Sequence, residues 1–402
     1  IEMTDADVVA RARAEAPQLI GLSLTTRQWL RARSIVAAFD RELPDIPVVA
    51  GGLHPTFAPE EVLAAPGFDY VCLGEGEGPL LDLVTRLAAG KKVGLLTPIP
   101  NIWTKGGTKP SLRAPFEPID QLPFVARDLL DEHPGLVHMT TQRGCPFPCT
   151  YCAARMYNEL YDDAGGEYGR RRSHDSVLAE LRGLRDRGLL SYVIFLDDTF
   201  TIHHPWVREF CRVYGDEYRT PFSLHARVET VSDRLLPVLA KAGASMVTYG
   251  VESGSERIRR EVMQRPVTNP RFRDVFRWTK EAGILITANF MIGLPGETRD
   301  DLQMTLDLAE ELGTDYGLYD FGYFVFYPYP GTHLFKLCVE RGYLPGGYEE
   351  MPANHRASIL KLDTITPDDI AEFYDRFTAL RRKLYAHRAG KTEHVDSSAL
   401  HG

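Results

Sequence analysis

Short apolar runs and amphipathic helical stretches alternate along most of the chain. Near the amino terminus, three apolar runs are separated by two helical patterns: runs at 18–24, 47–50 and 69–73, with helices at 27–41 and 80–87. Apolar strands joined by helices predict a parallel sheet covered on both faces. Ligands of such sheets bind beyond the carboxyl ends of the strands, where the glycine-containing loops fall. We therefore predict an α/β front domain of the doubly wound, flavodoxin-like type over 1–92.

A second alternating series follows a Pro-rich stretch, 93–135, which lacks periodicity and is predicted as a linker. The series has six strand candidates: 136–141, 192–196, 222–226, 246–250, 285–291 and 319–326. Six β/α units predict a partial (β/α)6 barrel over 136–332, with its active site at the carboxyl ends of the strands. Residues 333–402 are predicted to form a small carboxyl-terminal extension.

The charge balance and the cysteines narrow the class of protein. Lys and Arg total 46 against 55 Asp and Glu, a net charge of −9, which argues against general nucleic-acid binding. We also expect no transmembrane segment, because no apolar run approaches the ~20 residues that span a bilayer. Three of the six cysteines fall within eight residues, which favours metal or cluster chemistry in a reducing, cytoplasmic setting. Since Ile1 replaces the usual initiator Met, we expect a fragment or a processed product.

The cysteine-rich loop has the spacing C-x3-C-x2-C, formed by Cys145, Cys149 and Cys152. Buried free cysteines are one alternative, although three in one Pro-rich loop would be an unusual coincidence. A structural zinc site is another, but it normally needs four ligands, and the remaining cysteines are scattered: Cys72, Cys211 and Cys338. His138 could supply a fourth ligand, but its alternating position in a predicted strand more simply makes it a strand side chain. We favour a [4Fe–4S] cluster with three cysteine ligands and one open iron.

The cysteine motif, with Tyr151 before its third cysteine, resembles the signature of radical S-adenosylmethionine (SAM) enzymes. Strings at 249–255 and 290–297 fall at strand ends where that family would place them. The resemblance implies that SAM chelates the open iron and is cleaved to methionine and a 5′-deoxyadenosyl radical. It also implies a reductant such as flavodoxin or ferredoxin.

The same resemblance implies roles for charged residues near the strand ends. Glu252 would accept hydrogen bonds from the SAM ribose; the alternative is a helix N-terminal carboxylate. Arg265 would bind the SAM carboxylate, unless it is a solvated surface arginine, and Arg227 could serve the same charge. Asp197 and Asp198 stand where the family often has Gly-Gly-Glu facing the SAM amine. Because the chain departs from that pattern, either aspartate is only a candidate, and Asp198 is our choice.

Two further expectations concern the fifth and sixth strands of the second series. Ile292 and Gly293 would offer backbone groups to adenine, with the glycine permitting close approach. The aromatic sixth strand, 319–326, is either core packing or an aromatic wall for a flat substrate.

Three glycine-containing strings in the front domain lie at 21–26, 51–56 and 74–77. Together they resemble the cobalamin-binding domain that precedes many radical SAM barrels. The alternative is a doubly wound domain with no ligand. By resemblance, the first string would line the pocket for the cobalamin nucleotide tail, and the other two would place the cofactor against backbone. The predicted cobalamin residues are Ser23, Thr25, Gly51, Gly52, His54, Gly74, Glu75 and Gly76.

The front domain departs from other cobalamin proteins in two ways. The Asp-x-His-x-x-Gly string that supplies a cobalt ligand is absent, and the near match at 131–135 has the wrong spacing. We therefore expect cobalamin without a histidine on cobalt, with His54 shaping its loop or touching the periphery of the cofactor. We also expect the first strand of the fold to be missing, which would leave the site incomplete.

These features favour a cobalamin-dependent radical SAM enzyme resembling the class B methyltransferases, acting on an unactivated carbon of a small-molecule substrate. One alternative resembles the anaerobic oxidative cyclase, which may use cobalamin without net methyl transfer. Another, of a different class, is a zinc-stabilised binding module with no catalysis.

Overall fold

The computed structural model describes residues 3–91, 93–94, 97–129, 135–162, 164–346 and 356–398, with side chains described up to residue 388. Residues 131–134 of the near match to a cobalt-ligand motif lie outside this part of the chain. Within the described residues, no helix is both long enough and apolar enough to cross a lipid bilayer.

The front domain is an α/β sheet in the order β1-β2-β3-β4. Its strands are β1 (Ile20–Ser23), β2 (Val48–Gly51), β3 (Tyr70–Cys72) and β4 (Ile102–Thr104). Its helices are α1 (Asp5–Glu15), α2 (Trp29–Glu42), α3 (Leu53–Phe57), α4 (Pro59–Ala64) and α5 (Glu77–Ala88). The parallel pairing of β1, β2 and β3 confirms the predicted arrangement of these strands. Trp29, Val36 and Phe39 of α2 are buried in the core of this domain.

Strand β4 lies inside the stretch that the sequence predicted as a linker. It pairs antiparallel with β3, with Trp103 opposite Val71. The strand has only three residues and follows a Pro-rich stretch, so no periodic pattern marks it in the sequence. Residues 102–104 therefore belong to the front sheet.

The second domain is a partial (β/α)6 barrel, as predicted. Its six strands are all parallel and follow the sequence order across the sheet. They are β5 (Leu136–Met139), β8 (Tyr192–Phe195), β9 (Phe222–Ala226), β10 (Ala244–Glu252), β11 (Leu285–Ile292) and β12 (Leu318–Val325). A short two-stranded antiparallel sheet, β6 (Gln142–Arg143) and β7 (Arg170–Arg171), follows β5 in the chain.

Helices lie between and after these strands in the chain. They are α6 (Ala153–Asp162), α7 (His174–Asp186), α8 (His204–Glu217), α9 (Leu236–Ala242), α10 (Asn269–Glu281), α11 (Arg299–Thr314), α12 (His333–Glu340) and α13 (Pro367–Ser398). Alternate strand residues such as Val193, Phe195 and Leu224 are fully buried, because each strand packs one face against these helices.

The aromatic sixth strand contributes mainly to the core. Phe321 and Tyr323 contact Phe377 of α13, and the Tyr323 and Phe377 rings stack with centroids 5.6 Å apart. Phe324 points to the other face and remains exposed. The core-packing alternative therefore holds for the side chains that face α13.

Candidate functional site

The three motif cysteines lie on the loop between β6 and α6. They line one cavity of about 200 Å³ at the carboxyl ends of the barrel strands, here called the cysteine cavity. Burial raises the pKa of the Cys145 thiol and raises that of Cys152 to about 12. Metal coordination would overcome this penalty by deprotonating the sulfur. The donor set of three thiols facing one cavity fits a cluster with one open iron.

Asp197 fixes the start of the cysteine loop. Its Oδ1 accepts hydrogen bonds from the Thr141 and Gln142 amides, both at 2.7 Å, and its Oδ2 accepts one from the Thr141 hydroxyl at 3.1 Å. Burial raises the pKa of Asp197 to about 6, against the effect of these donors. Asp197 is thus a structural residue of the loop rather than a group that faces a ligand.

Asp198, the next residue, faces the other way and lines the cysteine cavity. Its carboxylate accepts no hydrogen bond within the described part of the chain, and burial raises its pKa. The two neighbouring aspartates therefore have different roles, and only Asp198 is available to a ligand.

Glu252 ends β10 and lines the cysteine cavity beside Tyr151. Its φ of +69° is unusual for a residue other than glycine, and a register shift in the β10–β11 pairing accompanies it. Burial raises the pKa of Glu252, although Arg265 at 3.7 Å opposes the shift. Burial also raises the pKa of the Tyr151 hydroxyl.

Both candidate arginines reach the cysteine cavity. Arg265 is only 2% exposed, so it is not a solvated surface arginine. It pairs with Glu229 at 3.2 Å as well as with Glu252. Arg227 pairs with Glu229 too, and its Nη1 lies 3.1 Å from the Cys149 sulfur. Glu229 was missed at the sequence level; its only signal was its place two residues after Arg227, at a strand end.

One backbone group of each residue expected to hold adenine is hydrogen-bonded within the protein. The Gly293 amide donates to the Glu297 carboxylate at 2.6 Å, and the Ile292 carbonyl accepts from the Phe326 amide at 2.7 Å. Neither Ile292 nor Gly293 lines the cysteine cavity. The role of these two residues in binding adenine therefore stays a prediction.

A larger cavity of about 700 Å³, the front cavity, lies between the front sheet and the barrel mouth. Most of the predicted cobalamin residues line it: Ser23, Gly51, Gly52, Gly74, Glu75 and Gly76. At Gly51 the wall lies close to the neighbouring strand, since a Cβ there would be in ordinary van der Waals contact with the Cys72 Cβ at 3.6 Å. A wall of backbone and small residues fits a large planar cofactor.

Two of the residues predicted to hold cobalamin, Thr25 and His54, do not line the front cavity. Thr25 is exposed, and its hydroxyl bonds Gln28. His54 is 1% exposed, packs its ring 4.9 Å from that of Trp29, and has its pKa lowered by burial to about 4. His54, a residue of α3, is therefore enclosed in the front domain, as a residue that shapes its loop would be.

Glu75 is occupied by the barrel rather than free for a cofactor. Its carboxylate pairs with Arg143 of β6 and Arg170 of β7 and accepts a hydrogen bond from the Phe116 amide. Gly74 is required here, because a Cβ would lie 2.2 Å from the Tyr161 hydroxyl and its φ is +71°. This loop is thus a contact between the two domains as well as a wall of the front cavity.

Two protein-family profiles match the sequence of this chain. The Radical SAM superfamily profile matches residues 139–309, and the B12 binding domain profile matches residues 1–84. The chain is a radical SAM protein with a B12-binding domain. Its radical SAM domain implies SAM and a [4Fe–4S] cluster, and its B12-binding domain implies cobalamin.

Relatives of this radical SAM protein include methyltransferases and a cyclase. An uncharacterized methyltransferase of Pyrococcus horikoshii is 27% identical over 96% of this chain and 85% of its own length. The anaerobic magnesium-protoporphyrin IX monomethyl ester cyclase of Rubrivivax gelatinosus is 25% identical over 93% of this chain and 66% of its own length.

The fold also matches a solved structure. This is TsrM, a radical SAM methyltransferase from Kitasatospora setae with cobalamin and a [4Fe–4S] cluster bound. It matches with a TM-score of 0.66 and 18% identity, over 92% of this chain and 73% of TsrM.

Proposed function

We propose that this radical SAM protein transfers a methyl group to an unactivated carbon of a small-molecule substrate. The observation that carries the proposal is the position of Asp198, which lines both the cysteine cavity and the front cavity. The cavity suited to cluster and SAM thus adjoins the one suited to cobalamin, and a substrate at the junction would be accessible to both.

The cofactors supply the reactive groups. When bound, the cluster and SAM provide a 5′-deoxyadenosyl radical that removes a substrate hydrogen, and cobalamin provides the methyl group. The residues of the chain bind, orient and enclose these groups. Asp197 holds the cysteine loop, Glu252 offers its carboxylate to the ribose, and Arg265 offers a cation within the cysteine cavity to the SAM carboxylate.

Asp198 would bind a donor group at the junction. Its carboxylate has no hydrogen-bond partner among the described residues, and burial raises its pKa because ionisation there is costly. An ammonium group would lower that cost, and the SAM amine is the candidate that the family resemblance suggests. A donor group on the substrate is the alternative.

The reaction would also need an electron donor and a reducing compartment. We propose a flavodoxin or ferredoxin as the reductant and the cytoplasm as the location. The six cysteines are all free, as a reducing environment requires.

A product assay with SAM carrying a CD3 methyl group tests the proposal. The anaerobically reconstituted protein, given cobalamin, dithionite and candidate substrates, should release 5′-deoxyadenosine and a product heavier by one labelled methyl group. Cys149→Ala is the control and should give neither.

The second candidate is an oxidative cyclase-like reaction without net methyl transfer, favoured by the similarity to the Rubrivivax gelatinosus enzyme. Substrate-dependent 5′-deoxyadenosine with an unlabelled, oxidised product would support this candidate and overturn methyl transfer.

A further inference from the structure

The Arg227 guanidinium is fixed against the cysteine loop by three contacts. Its Nη1 lies 3.1 Å from the Cys149 sulfur, and its Nη2 pairs with Glu229. Its central carbon lies 3.9 Å from the centroid of the Phe147 ring, in a cation–π contact. Phe147 and Cys149 belong to the same loop, so the arginine is oriented by the segment whose sulfur it contacts.

The other two motif sulfurs have only neutral neighbours at hydrogen-bonding range within the described residues. The Thr199 hydroxyl lies 3.8 Å from the Cys145 sulfur, and the Ala154 amide lies 3.5 Å from the Cys152 sulfur. A charged donor forms a stronger hydrogen bond than a neutral one. Cys149 is thus the sulfur singled out by the fold.

We propose that Arg227 donates a hydrogen bond to the Cys149 ligand of the cluster and thereby raises the reduction potential of that cluster. Reduction adds a negative charge that spreads onto the sulfur ligands. A cationic donor on one sulfur stabilises that charge, and the effect is larger in a water-poor cavity. Glu229 orients Arg227 but neutralises its charge only in part, because the same carboxylate also pairs with Arg265.

The two arginines of the cysteine cavity would then have different roles. Arg227 is committed to a thiolate of the loop, which leaves Arg265 to serve the SAM carboxylate. The inference rests on the cluster of the proposed function but is independent of methyl transfer.

The test is a potentiometric titration of the reconstituted full chain without SAM, following the electron paramagnetic resonance signal of the reduced cluster. Iron and sulfide are quantified first, so that loss of the cluster is distinguished from a change in its potential. Arg227→Met should shift the midpoint potential to a more negative value. Arg227→Lys, which keeps the charge but loses the planar donor, should shift it less.

Arg271→Met is the matched control. Arg271 belongs to the same barrel and also contacts an aromatic ring, that of Trp278, but it bonds the Val228 and Val231 carbonyls instead of a cysteine. Its replacement should leave the potential unchanged.

Phe147→Leu keeps the arginine but removes the ring that holds it, and should produce a smaller negative shift. It decides the question if Arg227→Met fails to retain iron. An unchanged midpoint potential in Arg227→Met would overturn the inference. If Arg227→Met loses its cluster, unchanged potentials in both Phe147→Leu and Arg227→Lys would overturn it. Loss of SAM affinity at an unchanged potential would assign Arg227 to the SAM carboxylate instead.

Discussion

The Glu75 carboxylate of the front domain lies 3.0 Å from the Arg143 guanidinium, two residues before the first motif cysteine. Burial alone would raise the pKa of Glu75, but hydrogen bonds from Arg170, the Phe116 amide and Arg143 hold it below its usual range. One carboxylate therefore joins a wall of the front cavity to the strand that leads into the cysteine loop.

Replacing Glu75 with Ala should destabilise the protein by about 3 kcal/mol, because it leaves the buried Arg170 without its carboxylate partner. The measurement is urea unfolding at neutral pH. Asp82→Ala is the control: it removes a partly exposed pair with Arg113 and should cost about 0–1 kcal/mol. Equal losses in the two variants would show that Glu75 contributes no more than a surface pair.

Replacing Cys145, Cys149 or Cys152 with Ala should abolish cluster binding, since each is one of three thiolate ligands. The parent protein should carry about four irons per chain, measured with sulfide and the visible absorption of the cluster. The controls are replacements of the cysteines outside the loop: Cys72, Cys211 and Cys338. A single zinc without sulfide in the parent would support the binding-module alternative.

Replacing Glu252 with Gln should weaken SAM binding by about 1–3 kcal/mol, because an ionised acceptor for the ribose hydroxyls is lost. Isothermal titration under anaerobic conditions measures the change. Glu261→Gln is the control, since Glu261 is half exposed and pairs only with surface arginines. Normal SAM affinity in Glu252→Gln would remove Glu252 from the binding site while leaving the enzyme class intact.

Replacing Gly21 with Leu should block cobalamin binding without unfolding the front domain. Gly21 lines the front cavity, and an added Cβ would meet nothing nearer than the Val49 side chain at 3.9 Å. The larger side chain would therefore occupy cavity space instead of straining the backbone. Retained cobalamin after gel filtration measures the effect. Gly183→Leu on α7, where a Cβ has no neighbour within 4 Å, should bind cobalamin normally.

Bound cobalamin should have no histidine on cobalt, because His54 is enclosed beside Trp29 and does not reach the front cavity. Electron paramagnetic resonance of the Co(II) form checks this. Nitrogen hyperfine splitting that changes when histidine is labelled with ¹⁵N would contradict the prediction.

Replacing Glu297 with Gln should stabilise the protein increasingly as the pH rises. Burial raises the pKa of Glu297 from 4.5 to about 8, and its Oε1 has no hydrogen-bond partner among the described residues. The folded state therefore binds this proton more tightly than the unfolded state. The contribution of this group to the free energy of unfolding is thus highest below pH 4.5 and falls as the pH rises to about 8. Glutamine needs no proton and can still accept from the Gly293 and Leu294 amides.

The difference in Tm between Glu297→Gln and the parent, followed across that pH range, checks the prediction. Glu281→Gln, at an exposed helical position, should show no such trend. A difference that stays constant with pH would mean that Glu297 does not titrate in this range.

The sequence by itself determined the two-domain order, the parallel strands and the cysteine loop. Alternating apolar strands and helices are local patterns, and three cysteines within eight residues mark the loop by their spacing alone. Glycines at strand ends likewise indicated the front cavity, because the carboxyl ends of parallel strands share one edge of the sheet.

Only the tertiary structure decided which side chains face the cavities. Asp197 and Asp198 are equivalent in sequence, yet one bonds amides 55 and 56 residues away and the other lines two cavities. Glu75 lines the front cavity, and only the fold shows that Arg170, 95 residues later, reaches its carboxylate. The packing of His54 on Trp29 is likewise visible only in the fold. Such partners come from segments far apart in the chain, so burial and charge pairing at these positions follow from the assembled fold rather than from any local pattern.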